Sequence, residues 1–92
     1  MKSSDSPPKD TLEKAFGQVL RQIRLERGLS QEDLGFRSGY HRTYISQLER
    51  GQKNPSLRTL FHLAEVLGVD ADEMIRRVRA SIPSGTSGTR RK

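Results

Sequence analysis

Apolar side chains along this chain come in bursts of helical spacing, each bounded by a capping residue and a glycine. Leu12, Phe16, Val19, Leu20 and Ile23 follow one another at steps of four, three, one and three, the period of a helix with one face toward a core. Asp10 with Glu13 offers a capping box in front of them and Gly28 a stop behind, so a first helix is expected to end near Arg27. Leu29 anchors the turn that follows. Ser30 with Asp33 forms a second capping box, opening a helix that turns Leu34 inward and ends near Ser38, where Gly39 supplies a left-handed backbone position. A third helix begins around His41 or Arg42 and ends before Gly51. It holds Ile45 and Leu48 inward, and Tyr40 is placed to staple onto Ile45. Ser56 caps a fourth, built on Leu57, Leu60, Phe61, Leu63, Ala64 and Leu67 and stopped by Gly68. As the most apolar of the set, it is expected to be the most buried. Asp70 with Glu73, and a Val69 to Met74 staple, open a fifth whose stripe is Ala71, Met74, Ile75, Val78 and Ile82. The chain therefore reads as all-α, with five helices.

At 92 residues it is expected to form one small domain. Residues 1–9, with two prolines and few apolar side chains, read as a flexible arm, residues 10–82 as the domain, and residues 83–92 as a flexible basic tail. The net charge of +6 and pI near 10.3 point to a polyanionic partner. Distribution sharpens this: residues 37–58 hold five Arg or Lys against one Glu, a local +4, whereas residues 59–75 hold four acids and no Lys or Arg. Positive charge thus gathers around the third helix and the loop after it.

Other chemistries find little footing. Without cysteine there are neither disulfides nor thiolate metal sites. No apolar run approaches the ~20 residues of a membrane span, and the first residues lack a signal-peptide core, so a cytoplasmic protein with no membrane partner is expected. His41 and His62 are isolated, and no third ligand has metal spacing. No nucleophile stands beside a paired acid set, and no glycine-rich phosphate loop occurs. Neither enzyme, metal nor cofactor is expected. His41, at a helix start, suits a cap or a phosphate contact; His62 reads as a surface or edge residue.

The second and third helices are separated by too few residues to lie antiparallel, which fits the steep helix-turn-helix connection. The outward side of the third presents Arg42, Thr43, Tyr44, Ser46, Gln47 and Arg50. Arg grips guanine, Gln grips adenine and the Thr methyl touches thymine, so these are the side chains of major-groove readout. The alternative is an ordinary solvated face. Such faces are rich in Glu and Lys, and this one has a single acid, Glu49.

Leu29-Ser30-Gln31, Ser38-Gly39, Arg42-Thr43-Tyr44-Ile45-Ser46, Leu48-Glu49-Arg50-Gly51 and Asn54-Pro55-Ser56-Leu57 together resemble the Cro/CI-type, lambda-repressor-like (XRE) helix-turn-helix regulators, over roughly Phe16 to Met74. The resemblance implies a compact five-helix DNA-binding domain. It implies base reading by Arg42, Thr43 and Gln47, with Tyr44 and Ser46 on bases or adjacent phosphates. Gln31 would hold a phosphate and brace the reading helix, and His41, Arg50, Lys53 and Asn54 would lie along the backbone. Arg24 and Glu49 would form a partly buried structural ion pair. It further implies a homodimer on double-stranded DNA, with pseudo-palindromic half-sites about 34 Å apart.

For dimerisation the candidates are Met74, Ile75, Val78 and Ile82. Met74 and Ile75 could equally close the chain's own core, whereas Val78 and Ile82 reach beyond what a minimal domain needs. Gly35 stands where the family usually has Ala, at an expected cost of about 1 kcal/mol, and where the third helix must come close. Tyr40 replaces an expected small aliphatic residue, and outward-facing Phe36 has no assignable role. Size and the Arg42–Ser46 segment also resemble the controller proteins of restriction–modification systems. The leading expectation is a sequence-specific transcriptional regulator, with RNA polymerase as a further partner. An antitoxin or adaptor with autoregulatory DNA binding is the alternative. A non-specific packaging protein is disfavoured by the modest +3 over residues 11–80.

Overall fold

The computed structural model describes residues 11–82. They form α1 (Thr11–Glu26), α2 (Gln31–Ser38), α3 (Arg42–Glu49), α4 (Leu57–Leu67) and α5 (Ala71–Ser81), with no strand among the described residues. The expected arm at residues 1–9, the tail at 83–92 and Asp10 of the first capping box lie outside them. Hydrogen bonds at the helix ends explain the boundaries. Ser30 Oγ accepts from the Asp33 amide at 2.9 Å while Asp33 Oδ2 accepts from the Ser30 amide at 2.9 Å, so both halves of the box close. Gly39, at φ 80°, takes the left-handed position that ends α2 and lets the chain turn within three residues into α3. Ser56 Oγ accepts from the Thr59 amide at 3.0 Å to start α4.

α1 is the spine of the fold. Ala15, Phe16, Gly17, Val19, Leu20, Ile23 and Arg24 are all buried along it, and it packs against both α3 and α5, while α2 packs on α3 and α4, and α4 rests on α5. Leu20, Ile23, Leu34, Ile45, Leu48, Leu63 and Met74, drawn from all five helices, retain no solvent exposure. Each such side chain contributes on the order of 1.5–3 kcal/mol when removed from water. Arg27, just past α1, caps the far end of α4, its Nε donating to the Leu67 carbonyl at 2.7 Å.

Several expectations are corrected. α4 is apolar on too many sides to bury them all: Thr59, Leu63, Ala64 and Leu67 face inward, but Leu57 is 69% and Phe61 55% exposed, so α1, not α4, is the most buried helix. On α1 the covered stripe begins at Ala15, leaving Leu12 half-exposed. Asp70 sits at the N-cap of α5 without accepting a cap hydrogen bond. Glu73 is engaged elsewhere, taking Arg77 at 3.1 Å, and that guanidinium also reaches Glu26 of α1 at 3.3 Å. These two carboxylates push the Arg77 pKa further up. Met74 and Val78 are buried in the chain's own core and offer no surface to a second copy, because α5 turns them onto α1 and α4. Of the four dimerisation candidates, Ile75 is exposed and Ile82 half-buried.

Candidate nucleic-acid interface

α3 is a short rod of eight residues that cannot hold its shape by propensity alone. His41 starts it: its backbone is extended, and its Nδ1 accepts from the Thr43 amide at 3.1 Å, filling one of the orphan donors of the first turn. Ile45 and Leu48 lock the inner face into the core. The outer face then carries Arg42, Thr43 and Arg50 exposed, with Ser46, Gln47 and Tyr44 half-buried at its margins. Lys53 and Asn54 follow in the exposed loop, and Gln31 lies half-buried at the first turn of α2. Arg42, Thr43, Ser46 and Gln47 thus share one helix, with Arg50 at its C-cap and Lys53 and Asn54 in the loop after it. Tyr44 is partly spent on packing, its ring edge-on to Tyr40 with centroids 5.2 Å apart.

Behind α3 stands a buried polar cluster. Arg24 Nε and Nη2 donate to the two Glu49 oxygens at 2.6 and 3.0 Å, and Arg24 Nη1 donates to the Leu29 carbonyl at 2.7 Å. Gln31 Nε2 donates to Glu49 Oε1 at 3.0 Å. One carboxylate at the end of α3 is therefore held by α1 and α2 together, and the guanidinium donates three hydrogen bonds. A bidentate pair with a further bond to a main-chain carbonyl is an arrangement in which burial of two charges is tolerable. Gln31 has its second amide hydrogen left for an outside acceptor.

The turn between α2 and α3 is secured from α4. His62 Nε2 donates to the Ser38 carbonyl at 2.7 Å, its ring stands at 88° to that of Tyr40, and the Tyr40 hydroxyl donates to Thr59 Oγ1 at 3.4 Å. His62, read from sequence as a surface or edge residue, instead ties α4 to the end of α2. A lone imidazole on a helix carries no sequence signal for this; only the fold brings it to Ser38.

Two close approaches also seat α3. A Cβ added to Gly35 would lie 2.8 Å from the Tyr40 carbonyl oxygen and 3.3 Å from the Arg42 nitrogen. Glycine here leaves the room that the main chain takes up on entering α3, the close approach expected from the sequence. A Cβ on Gly17 of α1 would run into the Leu48 and Glu49 carbonyl oxygens. This second approach was not foreseen, because a mid-helix glycine signals a close contact without naming the partner.

Elsewhere, the Ser30 amide, and behind it the Ser30 hydroxyl, hold the Asp33 carboxyl below its ordinary pKa, with Arg37 adding a smaller pull. Phe36 is 89% exposed on the outer side of α2. Among the described residues no group of His, Cys, Asp or Glu could hold a metal ion, and no helix is long and apolar enough to cross a membrane.

Comparison with known proteins places this architecture. The helix-turn-helix family profile matches residues 20–74. An HTH-type transcriptional regulator of Sinorhizobium fredii, y4dJ, is 42% identical over 64 residues, covering 70% of this chain and 83% of its own. The control protein C.BamHI of Bacillus amyloliquefaciens is 46% identical over 61 residues, covering 65% and 75%. Among solved structures, the restriction–modification controller protein C.Esp1396I, crystallised as a tetramer with its natural 35-base-pair operator, superposes with a TM-score of 0.70 at 33% identity, covering 76% of this chain and 92% of that one. The chain belongs to the XRE-type helix-turn-helix family of DNA-binding transcriptional regulators.

Proposed function

We propose that this chain is a sequence-specific regulator that binds a pseudo-palindromic DNA operator as a homodimer, with α3 of each copy in the major groove. The observation that carries the reading is the two-sidedness of α3: Ile45 and Leu48 are wholly buried while Arg42 and Thr43 stand free at its opening turn. A helix so anchored presents base-reading side chains at an end that a groove admits. Arg42, Thr43 and Gln47 read bases, with Tyr44 and Ser46 at the edge of that set. Gln31, His41, Arg50, Lys53 and Asn54 position the protein on phosphates.

The second copy is proposed to dock on the exposed apolar side chains of α4 and α5. Leu57 and Phe61, one turn apart on α4, line an open groove with Ala71, and Ile75 stands exposed one turn beyond Ala71 on α5. An exposed apolar face of this kind suits a self-complementary interface, and a two-fold protein matches a two-fold operator. Ile82, half-buried, is the residue just past the end of α5.

Selection of bound duplexes from a random pool, with the salt dependence of binding measured alongside, tests the reading. A symmetric consensus is expected. No consensus with a steep salt slope would replace it with non-specific packaging, and no binding without a protein partner would replace it with an adaptor.

A further inference from the structure

The two glycines beneath α3 lie at opposite ends of it. Gly35 faces the backbone where the helix begins, at Tyr40 and Arg42, and Gly17 faces the backbone where it ends, at Leu48 and Glu49. In both places the obstructing atoms are main-chain atoms, which cannot rotate aside as a side chain would. α3 is therefore seated backbone against backbone at two points, with a span between them of roughly 12 Å at 1.5 Å per residue.

We propose that Gly17 and Gly35 are positioning residues for DNA recognition: together they set the tilt of α3, and through it the choice of bases. This rests on the DNA-reading function proposed above. A methyl group at Gly35 lifts the opening turn, where Arg42 and Thr43 stand; a methyl group at Gly17 lifts the closing turn beside Arg50. The two substitutions tip the rod in opposite senses. Displacement need not be large, because binding groups lose their fit once they stray beyond about 0.5 Å. Glu49 at the closing turn also holds Arg24 and Gln31, so the Gly17 substitution disturbs the buried cluster as well and costs more stability.

The experiment compares the full chain with Gly35→Ala, Gly17→Ala and Gly28→Ala. The probes are the duplex that the unmodified chain selects from a random pool and a scrambled duplex of equal length. Gly28 is the control, since it lies outside α3 at φ +72° with nothing within 4 Å of an added Cβ, and Ala there strains the backbone without touching the reading helix. Gly35→Ala is expected to melt cooperatively and to lose about tenfold in the ratio of selected to scrambled affinity, the loss of one base contact, and to reselect a changed consensus. Gly17→Ala is expected to lower the ratio similarly with a larger fall in Tm. Gly28→Ala is expected to lower Tm and leave the ratio alone. The ratio is insensitive to the folded fraction, which scales both affinities equally, so a merely structural role would not move it. A folded Gly35→Ala with unchanged ratio and consensus overturns the proposal while leaving the DNA-reading function standing, as does a Gly28→Ala that shifts the ratio equally. If Gly17→Ala does not fold, the other two variants decide. Should the unmodified chain select no consensus, the function itself fails and this inference goes with it.

Discussion

The α2–α3 end of the molecule and the α4–α5 end solve the same problem in opposite ways. At the first, nearly every polar group that leaves water finds a partner: Ser30 with Asp33, Arg24 with Glu49 and Leu29, Gln31 with Glu49, His62 with Ser38. What remains outside is hydrophilic apart from Phe36. At the second, apolar material outruns the space available, leaving Leu57, Phe61 and Ile75 in water. Position is fixed by hydrogen bonding and close backbone contact at one end, and by non-directional burial at the other. Under the proposed function the lesson is that a reading surface needs a rigid underside, whereas an assembly surface needs only unspent apolar area.

The sharpest way to break the first end is to remove one partner of its buried pair. Glu49→Ala leaves the Arg24 guanidinium enclosed without its counter-charge and is expected to cost about 3–5 kcal/mol in unfolding free energy, with Glu49→Gln close behind. A Glu49→Gln protein that melts like the unmodified chain would refute the stabilising role of the cluster. The outer side of the same helix should behave oppositely. Arg42→Ala is expected to leave Tm nearly unchanged and to lose roughly 1–3 kcal/mol of binding, confined to one base pair. Lys53→Ala should weaken all duplexes alike. Equal losses by Arg42→Ala on selected and scrambled duplexes would contradict its role in base reading.

A smaller effect is expected at the opening of α2. Ser30→Ala removes the acceptor of the cap and should cost about 1 kcal/mol. Asp33 supplies a pH signature. Its folded pKa lies below the ordinary 3.8, so its carboxylate adds stability above the unfolded value and loses that contribution as the pH falls through the folded one. Asp33→Asn is expected to flatten the acid limb of the stability profile below about pH 4; an identical profile in urea unfolding would argue against it. Least of all should the other end respond as a monomer. Phe61→Ser is expected to change monomer stability by no more than about 0.5 kcal/mol while shifting a dimer toward monomer in sedimentation equilibrium. Retention of the dimer would move the interface elsewhere.

This contrast also decides what could be read beforehand. Helix limits were legible because caps and stops are local chemistry: Ser30, Asp33, Gly39, Ser56 and Gly68 announce their roles within a few residues. The outward placement of Arg42 and Thr43 followed from the spacing of Ile45 and Leu48. Burial along α4 is not legible in its pattern, since periodicity counts apolar residues without knowing how much partner surface exists to cover them. The Asp70 box failed for a related reason: Glu73 had a competing cation in Arg77, four residues on and braced by Glu26 from α1. His62 and Gly17 carry no local signature at all, because their partners are 24 and about 30 positions away in the chain.

The division of labour within α3 carries a consequence for how such proteins diversify. Arg42 and Thr43 hang from a helix whose shape is settled by His41, Ile45, Leu48 and Glu49 and by glycines on neighbouring helices. Their side chains are exposed and the burden of folding falls elsewhere. Under the proposed function, operator preference can then change by exchange of those residues, one lineage drifting from another in target while the seat of α3 is inherited unchanged.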